Sequence, residues 1–300
     1  MNKILIVWMI LSACFFLQNM VAQSTNLARL EYTYIPQADS DNTYSRIRAE
    51  LNYPIKLKKE GAYLVLGAGY RNNSFQIKDT VVIADVTKLE NFQTFGLNVG
   101  YTFLLKNNWR FAAKVGLRIS SNFEDSGILA DDLRYSGTLL FIKSYKYDSE
   151  YKKARLLIGS RYSNPASINF PLPIINFTKR FHPSWSYSLG TPKTNIKYFL
   201  GEKHAFQAFV SLDRFFGNIQ NSRIVIDENG NARKAESASM LIINSALGYE
   251  YLFTKHLLFF VYGGYTLSNE IRLRDREQEN VFLFNEKNTV YFRTGIKLKI

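Results

Sequence analysis

The chain has 300 residues and a formal net charge of +13, from 38 Lys and Arg against 25 Asp and Glu. Aromatic residues make up 15% of the chain, yet its mean hydropathy is slightly negative, at −0.16. A helical membrane protein would be far more hydrophobic, and no apolar run of about 18 residues, the length a transmembrane helix needs, follows the N-terminal segment. Composition therefore excludes that class and leaves soluble domains or a β-barrel.

The N-terminus predicts an exported protein. Met1 to Lys3 is a short basic region, residues 4–17 are almost entirely apolar, and residues 18–22 end in small side chains. This order is typical of a secretory signal peptide, so we predict a signal peptide over residues 1–22, a barrel domain over residues 23–300 and cleavage after Ala22. The alternative is a lipoprotein box at 11–14, which would leave Cys14 lipidated, but the apolar run continues past that cysteine.

Cysteine usage narrows the chemistry further. Cys14 is the only cysteine, so the mature chain is expected to contain none. An exported protein without cysteine has neither disulfides nor thiol chemistry, and a metal site built on cysteine is excluded.

Twelve segments after the signal peptide alternate apolar and polar residues. A period of two is typical of a β-strand with one apolar and one polar face. The segments are 28–34, 46–53, 62–71, 95–103, 109–120, 133–141, 154–158, 194–200, 206–212, 241–251, 257–267 and 289–300. The inward face of 257–267 is not decided by the pattern. An extra hairpin within 170–181 would raise the count to fourteen strands.

The connections between these segments alternate between short and long. Three are tight turns, at 106–108, 201–204 and 254–256, and the long ones are rich in polar residues. Short periplasmic turns and long extracellular loops are typical of a bacterial outer-membrane barrel, so we predict an all-β, transmembrane antiparallel barrel of about twelve strands. A soluble β-sandwich is the alternative, and it has no reason to keep this alternation. Asn229-Gly230 predicts the tip of a hairpin in the long 216–236 connection.

Three features carry a resemblance to a known group of proteins. They are the Ala22-Gln23 junction, the strand pattern, and the segment Phe170-Pro171-Leu172-Pro173-Ile174 followed by Leu189-Gly190-Thr191-Pro192. On these features the chain resembles exported, porin-like outer-membrane barrels of Bacteroidota that form an uncharacterised family. One departure is Ile300, where many barrels end in an aromatic residue.

The resemblance implies a location and not an activity. The location is the outer membrane of a Gram-negative bacterium. The partners expected there are membrane lipid, lipopolysaccharide and the barrel-assembly machinery. Nucleic acid is not expected as a partner of this basic chain, because the chain is exported.

The sequence offers little catalytic chemistry. His182 lies two residues before Ser184, and a lipid-modifying barrel enzyme would need a histidine and a serine in contact. Nothing else in the segment supports an enzyme, so a loop histidine is the simpler interpretation. No phosphate-binding loop or dinucleotide fingerprint is present. We therefore predict a non-enzyme with no catalytic residue, no cofactor and no metal.

The polar faces of the strands predict the interior of the barrel. Charge on the lipid face costs about 2–4 kcal/mol for Arg or Lys at mid-depth, so charged faces point inward. The predicted pore-lining residues are Arg46, Arg48, Glu50, Arg110, Lys114, Arg118, Arg134, Arg155, Arg161, Arg293, Lys297 and Lys299.

This basic set favours a channel or transporter for small, preferably anionic solutes. In the alternative, a non-conducting surface barrel, the basic residues pair with Glu31, Glu50, Asp213 and Glu250, and the extracellular loops bind a partner. A lipid-modifying barrel enzyme is the third candidate.

Overall fold

The computed structural model describes residues 26–78, 86–125, 127–145, 153–166, 168, 170–226, 231–285 and 287–299. The predicted signal peptide, Cys14, the Asn229-Gly230 tip and Ile300 lie outside these residues. The strands are β1 (Asn26–Pro36), β2 (Thr43–Lys56), β3 (Tyr63–Gln76), β4 (Asn91–Leu104), β5 (Trp109–Ser121), β6 (Leu133–Tyr145), β7 (Ala154–Asn164), β8 (Leu172–His182), β9 (Trp185–Gly190), β10 (Lys193–Leu200), β11 (His204–Ile226), β12 (Ala232–Leu252), β13 (Leu257–Arg274), β14 (Asn280–Asn285) and β15 (Val290–Lys299). Two short 3-10 turns, Val86–Leu89 and Ala130–Asp132, lie between strands.

The strands close into a barrel. Strands β1 to β13 pair in chain order, and β15 pairs on one side with β13 and on the other with β1, where Leu30 lies opposite Ile296. Strand β14 pairs only with β13 and lies outside this ring, so fourteen of the fifteen strands form the wall. The fold is an all-β, closed antiparallel barrel, as the sequence predicts.

The strand count corrects the expectation of twelve in favour of the fourteen-strand alternative. Strands β8 and β9 form a hairpin between the predicted strands 154–158 and 194–200, and it extends beyond the 170–181 range expected for it. The alternation is hard to read there because Pro171 and Pro173 interrupt it and β9 has only six residues. We call the end of the barrel that carries the long loops the long-loop end, and the opposite end the short-turn end. The connection between β9 and β10 lies at the long-loop end, yet it has only two residues.

The outside of the barrel is apolar. Each of the fourteen wall strands carries at least one large apolar side chain that is exposed, such as Leu97 on β4, at 68%, and Leu247 on β12, at 71%. Soluble proteins rarely expose apolar surface on this scale, whereas a barrel in a bilayer presents it to lipid. The barrel is therefore transmembrane. Among the described residues, no helix is long and apolar enough to cross a membrane.

The wall separates between β10 and β11, and the last part of β11 turns inward while it stays paired with β12, from Leu212 opposite Ile243 to Asn218 opposite Ser237. Strand β11 pairs with β10 only as far as Ser211, opposite Lys193, whereas β11 itself continues to Ile226. Residues 212–218, the crossing segment, then reach the opposite side of the barrel, where Asn218 pairs with Ser121 on β5. Asn218 also accepts a 3.2 Å hydrogen bond from the backbone N–H of Asn122. The long-loop end of the barrel is thus spanned by a piece of its own wall.

The crossing segment packs on one side into an apolar core. The ring of Phe215 contacts the rings of Phe75 on β3, at 6.0 Å between centroids, and Phe92 on β4, at 5.5 Å. Ile35 and Tyr44 complete this cluster, together with the inward residues of β12 and β13. Because these side chains exclude water, the interior between the long-loop ends of β1–β4 and the inward faces of β11–β13 is a packed core and not part of an open lumen.

Candidate functional site

An ionic cluster ties the crossing segment to the opposite wall. Arg46 on β2 is 2% exposed and donates to both carboxylate oxygens of Asp213, at 2.7 and 2.6 Å. Arg293 on β15 donates to the same carboxylate at 2.6 Å. Glu31 on β1 lies 3.4 Å from Arg46 and 3.8 Å from Arg293, and it also bonds Arg29. Two of the predicted pore-lining residues, Arg46 and Arg293, are therefore engaged with carboxylates.

A second network fills the interior beside β10–β13. Glu250 on β12 accepts hydrogen bonds from Lys197 at 2.7 Å, Gln207 at 2.8 Å and Tyr262 at 2.8 Å. Lys297 on β15 lies over the ring of Phe260, 4.1 Å from its centroid. These partners satisfy a buried carboxylate that would otherwise be costly to keep in the interior. Side chains therefore also fill the interior beside β10–β13.

The rest of the interior carries a concentration of positive charge, which we call the basic chamber. Its seven cations are Arg48, Arg71, Lys114, Arg118, Arg134, Arg161 and Arg214. Arg48 on β2 lies opposite Arg71 on β3, and Arg118 on β5 lies opposite Arg134 on β6. Lys114 on β5 and Arg161 on β7 lie on either side of Thr138 on β6. The register places them together, because Glu50, Gly69, Gly96, Arg118 and Arg134 lie opposite one another on successive strands, and Arg134 bonds the carbonyl of Phe216, two residues after Arg214.

The chamber has little negative charge to balance these cations. Glu50 bonds Arg48 at 2.6 Å and Arg71 at 3.2 Å, and the nearby Asp213 is held by Arg46 and Arg293. The charged side chains of Lys114, Arg118, Arg161 and Arg214 form no ion pair and no hydrogen bond with another described residue, although the backbone N–H of Arg214 donates to Asp213 at 3.0 Å. With seven cations and one carboxylate, six charges in the described chamber are uncompensated.

Solvent reaches the chamber. Lys114 points inward, because its neighbour Val115 is a lipid-facing residue, and it is nevertheless exposed. The inward positions around it carry small residues: Gly96, Asn98, Gly100, Gly116, Ser136, Thr138, Gly159 and Ser163. A Cβ placed on Gly100 would meet nothing nearer than 3.6 Å. Small residues between long cationic side chains leave water-accessible space in the middle of the barrel.

Arg134 connects the chamber to the crossing segment. Its guanidinium donates to the backbone carbonyl of Phe216, at 2.7 Å, and to that of Pro165, at 2.8 Å, and it lies over the Phe216 ring. The hydroxyl of Ser120 donates to the same Phe216 carbonyl at 2.8 Å. The crossing segment is thus fixed to β2 and β15 through Asp213 and to β5 and β6 through Phe216.

The remaining predicted pore-lining residues lie outside the chamber. Arg110 donates to the carbonyl of Gly61, at 2.8 Å, near the short-turn end. Arg155 on β7 and Lys299 on β15 are partly exposed near that same end. Whether these residues line a pore stays a prediction.

Sequence reasoning missed Arg214. It shares the parity of Val210 and Leu212, and alternation alone places it on the lipid face of β11. It lies instead inside the barrel, two residues before Phe216, whose carbonyl Arg134 bonds, because β11 has separated from β10 and turned inward. A charged residue in line with a lipid face was the only signal of this departure in the sequence.

The structure shows no assembled catalytic or metal site among the residues that it describes. His182 accepts a 3.1 Å hydrogen bond at Nδ1 from the backbone N–H of Ser184 in the exposed turn between β8 and β9. This contact orders the turn and involves no serine hydroxyl. In the same residues, no three His, Cys, Asp or Glu side chains are grouped as a metal site requires.

Comparison with protein families gives one match, and it spans nearly the whole chain. Residues 18–299 match the model described as Domain of unknown function (DUF6268). The chain belongs to the DUF6268 family. No curated protein matches it significantly.

Solved barrels resemble this DUF6268 chain at low identity. A KdgM porin is 9% identical, with 91% of this chain and 99% of that chain covered and a TM-score of 0.35. LpxR from Salmonella typhimurium is 8% identical, with 91% and 100% covered and a TM-score of 0.39. The outer membrane phospholipase A from Escherichia coli is 13% identical, with 94% of each chain covered and a TM-score of 0.35. At this level of similarity none of them assigns an activity to the chain.

Proposed function

We propose that this barrel is an outer-membrane channel for small solutes and that it prefers anions. The observation that carries the proposal is the basic chamber, a water-accessible part of the interior with six uncompensated positive charges. Positive charge on a path with low-dielectric walls raises the local concentration of anions and opposes cations. The route for solute then runs past β3–β9, because packed side chains fill the interior beside β11–β15.

Reversal potential across a salt gradient tests the proposal, with the purified protein in a planar bilayer. We expect anion preference in the wild type. Lys114→Glu together with Arg118→Glu replaces two chamber cations by carboxylates and should weaken or reverse that preference. Lys106→Glu, in the exposed turn before β5, makes the same change outside the chamber and should have much less effect. Cation preference in the wild type would refute the charge argument.

The crossing segment favours a second candidate. A segment that spans the long-loop end, with an apolar core on one side, also suits a non-conducting barrel whose extracellular loops bind a partner. The two candidates differ in conductance. Absence of any conductance in a bilayer, from protein shown to be folded, would favour the non-conducting barrel.

The location belongs to the same proposal. The apolar exterior supports a location in a bilayer, and the N-terminal pattern predicts export and removal of residues 1–22, so the proposed location of the mature barrel is the outer membrane of a Gram-negative bacterium. Lipid, lipopolysaccharide and the barrel-assembly machinery are its proposed partners. Recovery in the outer-membrane fraction, with an N-terminus at Gln23, tests this. We propose no enzymatic role, and a lipase assay on the detergent-solubilised protein should give no activity above background.

A further inference from the structure

We propose that the basic chamber is a binding site for a small solute that carries two or more carboxylate or phosphate groups. This inference rests on the proposed function, since it names the solute class of the same interior. It adds that the solute binds at a definite site, with saturation, instead of only being favoured by a positive field.

The first argument is the number of unmet cationic groups. The charged side chains of Lys114, Arg118, Arg161 and Arg214 form no ion pair and no hydrogen bond within the described ranges. The Nε atom of Arg161 is buried and has no hydrogen-bond partner there. Cations held close together without enough carboxylates repel one another, and a bound anion relieves that repulsion. The chamber therefore lacks the anionic groups that would complete it, and a ligand supplies them.

The second argument is the geometry of the donors, which selects a ligand with more than one charge. Arg48 and Arg71 lie on β2 and β3, Arg118 and Arg161 on β5 and β7, and Arg214 on the crossing segment. The planar guanidinium group matches carboxylate and phosphate oxygens in pairs. One monovalent anion can engage only one side of the chamber, whereas a solute with two or three anionic groups can bridge the sides.

The third argument is preorganisation. Arg214 lies between residues that are held in place. On one side, Asp213 is bonded by two arginines. On the other side, Phe215 packs against Phe92, and the carbonyl of Phe216 accepts a hydrogen bond from Arg134. The backbone of Arg214 is therefore fixed from both sides before any ligand arrives. A backbone that is already ordered adds no ordering cost of its own when a ligand binds, which favours affinity.

Calorimetric titration of the purified full-length barrel in detergent, at constant ionic strength, tests the site. The probes are tricarballylate, with three carboxylates, pyrophosphate, and acetate as the monovalent comparison. We expect saturable binding of tricarballylate, pyrophosphate or both, at least tenfold tighter than that of acetate, and the preferred probe identifies the anionic group. Arg214→Gln and Arg161→Gln should each weaken that binding tenfold or more.

Lys106→Gln, in the turn before β5, is the matched control and should bind as the wild type does. Heat-modifiable migration in SDS shows that each variant is folded. Failure of both multivalent probes to bind, or equal binding of acetate, would overturn the inference. Binding is measured without conductance, so a barrel that binds but does not conduct refutes the channel alone, and one that conducts anions without saturable binding refutes this site alone.

Discussion

Arg46 and Asp213, 167 residues apart in the chain, form a two-bonded ion pair across the interior of the barrel, at 2.7 and 2.6 Å. The pair joins β2 in the wall to the crossing segment of β11. Arg293 shares the carboxylate, so three strands meet at one acidic side chain. This contact holds the crossing segment to β2 and β15, in addition to its pairing with β12.

Asp213→Asn should destabilise the barrel strongly. The change leaves Arg46, which is buried, and Arg293 with only Glu31 as an acidic neighbour. Breaking a buried ion pair by removal of one partner typically costs about 3–5 kcal/mol, because the remaining charge is uncompensated. The measurement is the temperature at which the folded barrel loses its resistance to SDS, which should fall clearly.

Asp39→Asn provides the matched control. Asp39 pairs with Lys287 at 3.0 Å, but both side chains are mostly exposed, at 77% and 61%. Exposed ion pairs contribute only about 0–1 kcal/mol, so this variant should unfold close to the wild-type temperature. Equal effects of the two substitutions would mean that the contact across the barrel contributes no more than a surface pair.

Arg134→Gln should loosen the crossing segment at its other attachment. The substitution removes the 2.7 Å and 2.8 Å bonds to the carbonyls of Phe216 and Pro165. Hydrogen bonds from charged groups contribute about 1.5–3 kcal/mol each, so their loss should let the crossing segment separate from β5 more often. The backbone N–H of Asn122, which donates to the carbonyl of Asn218 in that segment, should then exchange its hydrogen faster. Hydrogen exchange followed by mass spectrometry measures this, and an increase in conductance should accompany it if the barrel is a channel.

Arg110→Gln is the control for that experiment. Arg110 also donates to a backbone carbonyl, that of Gly61 at 2.8 Å, but it lies near the short-turn end. Its loss should leave exchange at Asn122 unchanged. An Arg134→Gln variant with wild-type exchange at Asn122 would show that the hydrogen bond from Ser120 and the ion pair at Asp213 suffice to hold the segment.

The sequence could predict the parts of this barrel that lipid constrains. Every second residue of a wall strand faces lipid and must be apolar, so alternation predicts segments such as 46–53 and 109–120 as strands. The same alternation assigns Arg48 and Arg118 to the interior. The interior obeys no such rule. The Arg46–Asp213 pair and the inward position of Arg214 depend on the separation of β11 from β10, and the only local sign of it is one charged residue in line with the lipid face.

The β8–β9 hairpin shows a second limit of pattern reading. Strands β8 and β9 are interrupted by proline or cut short, so periodicity left their existence open. What fixes their pairing is a backbone requirement. Gly190 has φ of +120°, and a Cβ there would lie 1.9 Å from the backbone carbonyl oxygen of Ile175.

Gly190→Ala should therefore disturb this hairpin. An alanine would be strained by its positive φ, at a cost of about 1–3 kcal/mol, and it would also clash with the backbone of β8. We expect a lower temperature of loss of SDS resistance. Gly137→Ala on β6 is the control, because a Cβ there meets nothing within 4 Å and its φ is not positive. If the two variants have the same stability, the close approach of β8 and β9 at Gly190 is not as the structure describes.

Single-cysteine labelling on intact cells should place the long-loop end outside. Lys234 lies on the hairpin of β11 and β12, is 59% exposed and forms only a surface pair with Glu236, so Lys234→Cys should cost little stability and present an accessible thiol. Lys106→Cys places the thiol in the short turn before β5, where Lys106 is likewise exposed. A membrane-impermeant maleimide should label Lys234→Cys on whole cells and Lys106→Cys only after the outer membrane is permeabilised. The wild type is the blank, because its only cysteine lies in the segment expected to be removed. Labelling of Lys106→Cys but not Lys234→Cys on intact cells would invert the topology, and the crossing segment would then face the periplasm.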